Sequence, residues 1–553
     1  MDKVAGISCS EPKYDNFYSP ENADFYKSFQ YGHLNRQKHH IRLIKILPTA
    51  PDELIACELL DQIPLVDVHP KYTALSYCAG DPKKTVPVLV NGCQFNVFAN
   101  LAHALNEVRH LWYQNRPNND EGLMLWVDQI CIDQSNPQER SHQVGFMREI
   151  YASAEQTLVC LSTEPSKGEG MEWVNQCINT YYANGVVDGL DHLITKSNSF
   201  PESDRQLKFN PGFLAFVEIL SSPWFTRIWV IQEYLMSACV IFLYGNKSLK
   251  SGPELKFMMD HLLFVQSFII RKVMNNNAYD SKALMALLNG KLPSIQRKIA
   301  SLWYLFFSRG PRTDTDPYYL STSLRDILQM SMHCRSSDPR DRIYALLGLT
   351  GPECTIVPDY SPTMTLKKLL IETTRHIIEI EDSLDVFGDI AYAHSMSSDP
   401  TIPAWVIYWT VAERGLVKEM YSGLKAAKDT KADAVFYRES EQGDLELVVT
   451  GVMLDTVSRR ISDVNGHGFI MHHSQKGYRV ETSLEIESGD EIWILYGCRW
   501  PAILRPFGHK YRFVQTAFVP MEPHQNLIPN VMKGGVLDAV EKGELIARKI
   551  HMI

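Results

Sequence analysis

Trp229 and Glu233 stand four positions apart inside a dense aromatic block, Pro223 to Leu235. On a helix that spacing puts both on one face, so the indole can wall a pocket that the carboxylate enters. The same pattern also fits a packed core in which Glu233 pairs with Arg227 or Arg140. Further candidates lie where strands are expected to end, because ligands of open α/β sheets bind beyond the carboxyl ends of the strands. Ser76 and Tyr77 end one such strand, Asp81 sits in its loop, and Asp128 ends another. Hydroxyls and carboxylates gathered on one rim could hold a polar small molecule, and Arg140 could meet a phosphate. Each has a plainer role beside this one. Asp128 can anchor a backbone amide in a turn, Ser76 can satisfy a local hydrogen bond, and Arg140 can pair with the neighbouring acids. Asp133 and Gln134 most simply shape the loop into the next helix.

Other chemistries lose ground. The chain has no G-x-x-x-x-G-K-[ST] loop, no G-x-G-x-x-G turn, no H-E-x-x-H helix and no G-x-S-x-G elbow. The adjacent His472 and His473 read as a surface pair, and Asp314 and Asp316 as a solvated loop. Neither points to a metal, and no metal is expected. The 11 cysteines are scattered without a C-x-x-C pair, which fits buried reduced thiols.

The elements that position these residues alternate between strand and helix. Ile41 to Leu47 alternates as a first strand. Tyr72 to Tyr77 and Val86 to Val90 are β-rich, the second ended by the hairpin dipeptide Asn91-Gly92. Asn100 to Trp112 has helical spacing. Leu123 to Val127 is a continuous apolar run, the mark of a strand buried on both faces. Asn136, Pro137 and Glu139 form a helix start, and Val144, Met147, Ile150 and Tyr151 form a helical face. Thr157 to Leu161 is strand-like, 163–210 reads as a looser insert, Phe213 to Leu220 as a helix, and Val240 to Tyr244 as a closing strand.

The expected class is α/β, a mostly parallel sheet flanked by helices, then a helical region and a mainly antiparallel β domain. The expected divisions are an irregular arm over 1–40, the α/β unit over 41–245, helices over 246–400 and β structure over 401–553. With 45% hydrophobic and 22% charged residues among 553, the composition is that of a globular chain. A net charge of −9 gives no basic footprint for nucleic acid. The N-terminal residues carry no apolar signal region, and the apolar runs are too short for a membrane span. A soluble cytoplasmic protein is expected, without nucleic-acid or membrane partners.

One constellation is specific. Tyr72-Thr-Ala-Leu-Ser-Tyr-Cys-Ala-Gly-Asp81 is followed by Val90-Asn-Gly92 and Asn100-Leu-Ala-His-Ala-Leu105. Then come Leu125-Trp-Val-Asp-Gln-Ile-Cys-Ile-Asp-Gln134, Glu139-Arg140, and Ile150-Tyr-Ala-Ser-Ala154. Trp224-Phe-Thr-Arg-Ile-Trp-Val-Ile-Gln-Glu233 closes the series. In this order the set resembles the fungal heterokaryon-incompatibility (HET) domain, over about residues 72–245. Asp338-Pro-Arg-Asp-Arg342, Pro358-Asp-Tyr-Ser361 and Ile402-Pro-Ala-Trp405 resemble segments that commonly follow it. Ala79 stands where the family usually has Trp, and Asp133 where it usually has Asn.

The HET domain is similar to the Toll/interleukin-receptor (TIR) fold, several members of which hydrolyse NAD. Enzymatic TIR domains carry a Trp four positions before a catalytic Glu, and Trp229 and Glu233 match that spacing. The resemblance implies Glu233 as catalytic carboxylate, with Trp229, Ser76, Tyr77, Asp81, Asp128 and Arg140 around the substrate. NAD would be the substrate and no cofactor is implied. Three outcomes follow from the resemblance: NAD hydrolysis in a cell-death or non-self response, a non-catalytic module that self-associates or binds a partner protein, or recruitment as an enzyme on another small molecule, as in specialised metabolism.

Overall fold

The computed structural model describes residues 22–48, 53–115, 122–184, 211–252, 323–332, 334–389, 401–409, 424–438, 445–462, 469–520 and 527–553. The expected helices Pro253–Ile270 and Leu284–Phe307 and the pair Asp314 and Asp316 lie outside those residues.

Nine strands form the first sheet: β1 (His40–Ile46), β2 (Ala56–Pro64), β3 (Thr73–Ser76), β4 (Thr85–Val90), β5 (Cys93–Phe98), β6 (Leu123–Trp126), β7 (Gln156–Cys160), β8 (Val240–Tyr244) and β9 (Lys247–Lys250). Their spatial order is β5-β4-β2-β1-β6-β3-β7-β8-β9. The run β6-β3-β7-β8 is parallel. Antiparallel pairs flank it, β1 with β6 and with β2 on one side and β9 with β8 on the other. The α/β class holds, with the parallel part confined to the centre and the pair β2–β4.

Local sequence explains much of this. β6 is interior, and Leu125, Trp126 and Val127 are fully buried. Such a strand needs an unbroken apolar run because both faces are covered. The β4–β5 hairpin turns through Asn91 and Gly92, both at positive φ, which suits the twist of the flanking strands. Gly80, at φ +80, turns the chain out of β3, and a Cβ there would meet Asn100 Nδ2 at 2.5 Å. That amide donates to the Cys78 carbonyl at 2.9 Å, tying the loop to helix α1 (Ala99–Asn115).

Helices α2 (Pro137–Gly145), α3 (Met147–Ser153), α4 (Val230–Met236) and α5 (Asp341–Leu347) matter for the site. Asn136 caps α2 through the Gln138 and Glu139 amides, each at 3.1 Å. Further helices span Leu324–Met330 and Leu366–Glu381. No helix among the described residues is long and apolar enough to cross a membrane.

Four expectations are corrected. β1 does not alternate: Ile41 through Ile44 are all buried, including Arg42 at 0% exposure. β2 and β6 occupy both edges of β1, its side chains are buried on both faces, and ion pairs with Asp61 and Glu139 neutralise the guanidinium. The arm over 1–40 is not wholly irregular, for Ala23–Ser28 is helical and sets Phe25 against Phe95. The stretch read as a loose insert contains a helix, Glu169–Asn184, whose Met171, Val174 and Cys177 recur at three-residue intervals and are buried. His472 is buried rather than surface-lying, because its strand is covered on that face.

The second sheet comprises β10 (Val435–Arg438), β11 (Leu445–Ser462), β12 (Ile470–Ser474), β13 (Arg479–Thr482), β14 (Glu491–Leu495), β15 (Ala502–Phe507), β16 (Lys510–Thr516) and β17 (Arg548–Met552). It is antiparallel except for one pairing, Tyr511 with Met552. β17 pairs with both β16 and β11, so the path β11-β14-β15-β16-β17 closes on itself. Closure leaves those strands without a free edge.

Candidate functional site

Parallel strands deliver their carboxyl ends to one rim, and the main polar cluster lies there. Ser76 is the last residue of β3 and is buried. Its hydroxyl donates to Glu233 Oε2 and accepts from the Trp224 indole Nε1 at 2.7 Å. Glu233 comes from α4, every residue of which is buried, and the residue is only 3% exposed. Arg227 precedes α4. Its guanidinium donates to the Tyr77 carbonyl, and Nη2 lies 3.8 Å from Glu233 Oε1. The Tyr77 hydroxyl donates to Asp128 Oδ1 at 3.0 Å. Ser76, Tyr77, Asp128 and Glu233 are therefore joined in one network through Trp224 and Arg227.

The network carries an electrostatic conflict. Burial raises the Glu233 pKa above the ordinary 4.5, and Arg227 and the Ser76 hydroxyl only partly offset this. Asp128 adds a like charge that pushes the same way. Burial also works against the Arg227 cation, but Glu233 and Asp128 outweigh it and hold its pKa above the usual value. For Tyr77, burial and then Asp128 raise the phenol pKa, so it remains a hydrogen-bond donor.

Three sequence candidates lie elsewhere. Asp81 is exposed, and its Oδ1 accepts from the Lys83 amide at 3.0 Å, which makes it a turn residue. Arg140, on α2, lies 3.8 Å from Asp338 Oδ2 and stacks over the Tyr360 ring at 3.8 Å. Trp229 donates its indole N–H to Asp341 Oδ2 at 3.1 Å. The indole that reaches the Glu233 network is Trp224, which the i, i+4 argument passed over. Trp224 is fully buried and lies in the turn before α4. Its contact with Ser76 joins residues far apart in sequence, so no local spacing announces it. Asp133 does shape its loop, accepting from Ser135 N at 3.0 Å, while Gln134 donates to the Asp128 carbonyl at 2.9 Å.

Trp229 and Arg140 belong to a second cluster that fastens the downstream segment to the rim. Asp341 begins α5, is buried, and also accepts from the Tyr360 hydroxyl at 2.5 Å. Burial, then the neighbouring Asp338, raise its pKa from 3.8 to about 6. A group raised on folding contributes stability that is full below the unfolded value and lost as pH rises through the folded value. Asp341 should therefore favour the fold at acid pH and cease to do so above about 6. Asp341→Asn, permanently neutral, should flatten that part of the dependence of melting temperature on pH. An unchanged profile in the variant would mean Asp341 titrates as an ordinary carboxylate.

Residues 72–233 match the family described as heterokaryon incompatibility protein (HET). The matched segment starts one residue before the strand of Ser76 and ends on Glu233, so the Ser76–Glu233 hydrogen bond joins its two ends. Over 411 residues the chain is 27% identical to "Heterokaryon incompatibility protein 6, OR allele" of Neurospora crassa. The alignment covers 67% of this chain and 58% of that relative, so the chain spans little more than half the relative's length. No solved structure matches the chain. Motif order, family match and relative agree that residues 72–233 of this chain carry a HET domain.

Proposed function

We propose that the HET domain hydrolyses the nicotinamide–ribose bond of NAD, with Glu233 as the catalytic carboxylate, as part of a cell-death or non-self response in the cytoplasm. The observation that carries this reading is a buried carboxylate at the carboxyl ends of parallel strands, with a serine hydroxyl on one oxygen and an arginine near the other. The resemblance of HET domains to TIR folds supports it, as does the name of the Neurospora relative. The described cysteines are all free, as a reducing compartment requires.

The chemistry asks for little more. The nicotinamide ring of NAD is already cationic and leaves as a neutral molecule, so no acid has to protonate it. The C–N bond breaks toward an oxocarbenium-like ribose, water adds, and nicotinamide, ADP-ribose and a proton result. An ionised Glu233 stabilises the developing positive charge, as carboxylates do in glycoside hydrolysis. Trp224 fixes Ser76, which in turn orients the carboxylate, and Arg227 favours its charged form. Purified full-length protein incubated with NAD should release nicotinamide.

The rate should also report the burial of Glu233. Activity needs the ionised form, and the pKa is raised above 4.5. The rate should thus fall as pH drops through a value higher than that of an ordinary glutamate. An acid limb at or below 4.5 would point to a different, solvated group.

A second reading has its own observation. At 3% exposure, with Ser76 and Arg227 both in contact, Glu233 is also placed as a structural lock for the rim. The domain would then act by self-association or by binding a partner protein. NAD left intact, together with light scattering that rises with concentration, would favour this reading.

A further inference from the structure

We infer that His103, Glu107 and Cys160 form a binding site for a zinc-class divalent cation. His103 and Glu107 lie on α1 at i, i+4, so their side chains share one face of the helix. Cys160 is the last residue of β7, against which that helix packs. His103 Nε2 is 3.4 Å from Glu107 Oε1, and Cys160 Sγ is 3.4 Å from Glu107 Oε2. One ligand atom from each of the three falls within 4.8 Å of the others. Zinc bonds of roughly 2.0–2.3 Å to nitrogen, oxygen and sulfur give tetrahedral edges of roughly 3.3–3.6 Å. Each of the two separations, one to each carboxylate oxygen, has the size of such an edge, and the remaining one lies within 4.8 Å.

The donor set narrows the ion. Imidazole and thiolate suit zinc and its neighbours in the first transition row, whereas magnesium and calcium prefer oxygen alone. The Ser162 hydroxyl lies 3.0 Å from His103 Nε2 and 3.7 Å from Cys160 Sγ, on the border of the same site. The Cys160 residue is 2% exposed, while the side chains of Glu107 and His103 are 8% and 15% exposed. The thiol is therefore shielded, and an ion has access from the histidine side. On binding, the thiol proton now shared with Glu107 leaves to solvent and the sulfur–metal bond takes its place.

This site is separate from the Glu233 network. Ser76 stands opposite Val159 in the ladder, and side chains directly across a ladder share a face. Cys160, one residue on, projects to the other face. The two sites thus sit at the same strand-end rim on opposite sides of the sheet. No sequence motif announces the cation site, because its third ligand comes from a strand 53 residues beyond Glu107. The ion would pin α1 to the end of β7.

Cobalt(II) is the probe, added to the full chain after treatment with a chelator. One equivalent should bind, with a sulfur-to-cobalt charge-transfer band and the intense visible bands of tetrahedral coordination, and zinc should displace it. Cys160→Ser should remove the charge-transfer band. His103→Gln, at the most exposed of the three ligand positions, should weaken binding by at least about 100-fold and abolish any rise in melting temperature on adding zinc. Should Cys160→Ser fail to fold, the histidine variant decides alone. Absence of stoichiometric binding, cobalt bound without the charge-transfer band, or full affinity in folded His103→Gln would overturn the assignment.

Discussion

Glu233→Gln is expected to leave the chain folded and to slow nicotinamide release by about 10²–10³-fold or more, the usual loss when a preorganised electrostatic group is removed. Gln is nearly isosteric, and its amide oxygen still accepts from the Ser76 hydroxyl. It has no charge to offer an oxocarbenium ion. Stability should follow a different course from activity. Because burial raises the Glu233 pKa on folding, its contribution to stability is full at acid pH and is lost as pH rises through the raised value. The Gln variant has no such loss, while Arg227 keeps the Tyr77 carbonyl and the field of Asp128. The variant should therefore melt no lower than wild type in the neutral range. Glu233→Asp should be inactive too, since the shorter side chain withdraws the carboxylate. Equal nicotinamide release by wild type and the Gln variant would remove Glu233 from the mechanism. A Gln variant that melts lower, beside a wild type that leaves NAD intact, would favour the structural lock.

Arg42→Met should cost about 3–5 kcal/mol of folding stability, the range for breaking a buried ion pair from one side. Arg42 is fully buried, and its Nε donates to Asp61 at 2.5 Å. The other nitrogens grip Glu139 at 2.6 and 3.0 Å and reach the carbonyls of Cys131 and Gly32 at 3.0 and 2.7 Å. Methionine fills the volume but strands two carboxylates and two carbonyls. Denaturant midpoints of the pure variant test this. A loss under about 1 kcal/mol would mean that the pairs only balance their own desolvation. Adding Glu139→Gln and Asp61→Asn to Arg42→Met should recover part of the loss, because the stranded charges are then gone.

Arg42 also marks where the sequence stopped being readable. Period and turn chemistry are local, and they served where local rules decide. The apolar run ending at Val127, the Asn91-Gly92 turn and the Asn136 cap all stand where they were expected. Glu139 looked like half of a capping box, yet its carboxylate serves Arg42 and the Asp133 amide at 2.7 Å. Nothing near Glu139 in sequence could announce a partner in β1. The site divides in the same way. Ser76, Tyr77 and Asp128 were found through the rule about strand ends, and Glu233 through the resemblance to enzymatic TIR domains, with Trp229 four positions before it. The same resemblance pointed to Trp229, whose indole N–H goes to Asp341 in the downstream segment, whereas that of Trp224 goes to Ser76. Helical spacing says which residues share a face, but not which neighbouring element that face meets.

The place of β1 in the sheet has a kinetic consequence. It lies early in the chain, yet it pairs with β6, with Ile44 opposite Leu125. That seam cannot zip until the intervening chain has been made and its loop closed, and closure entropy is lost before the contact repays it. During synthesis the β1–β2 pair waits with one edge bare, and such an edge can pair wrongly or aggregate. A fragment cut to residues 72–233 would meet the converse fate, since β6 would lack the strand that covers it. The cooperative folding unit is therefore larger than the segment that carries the family signature.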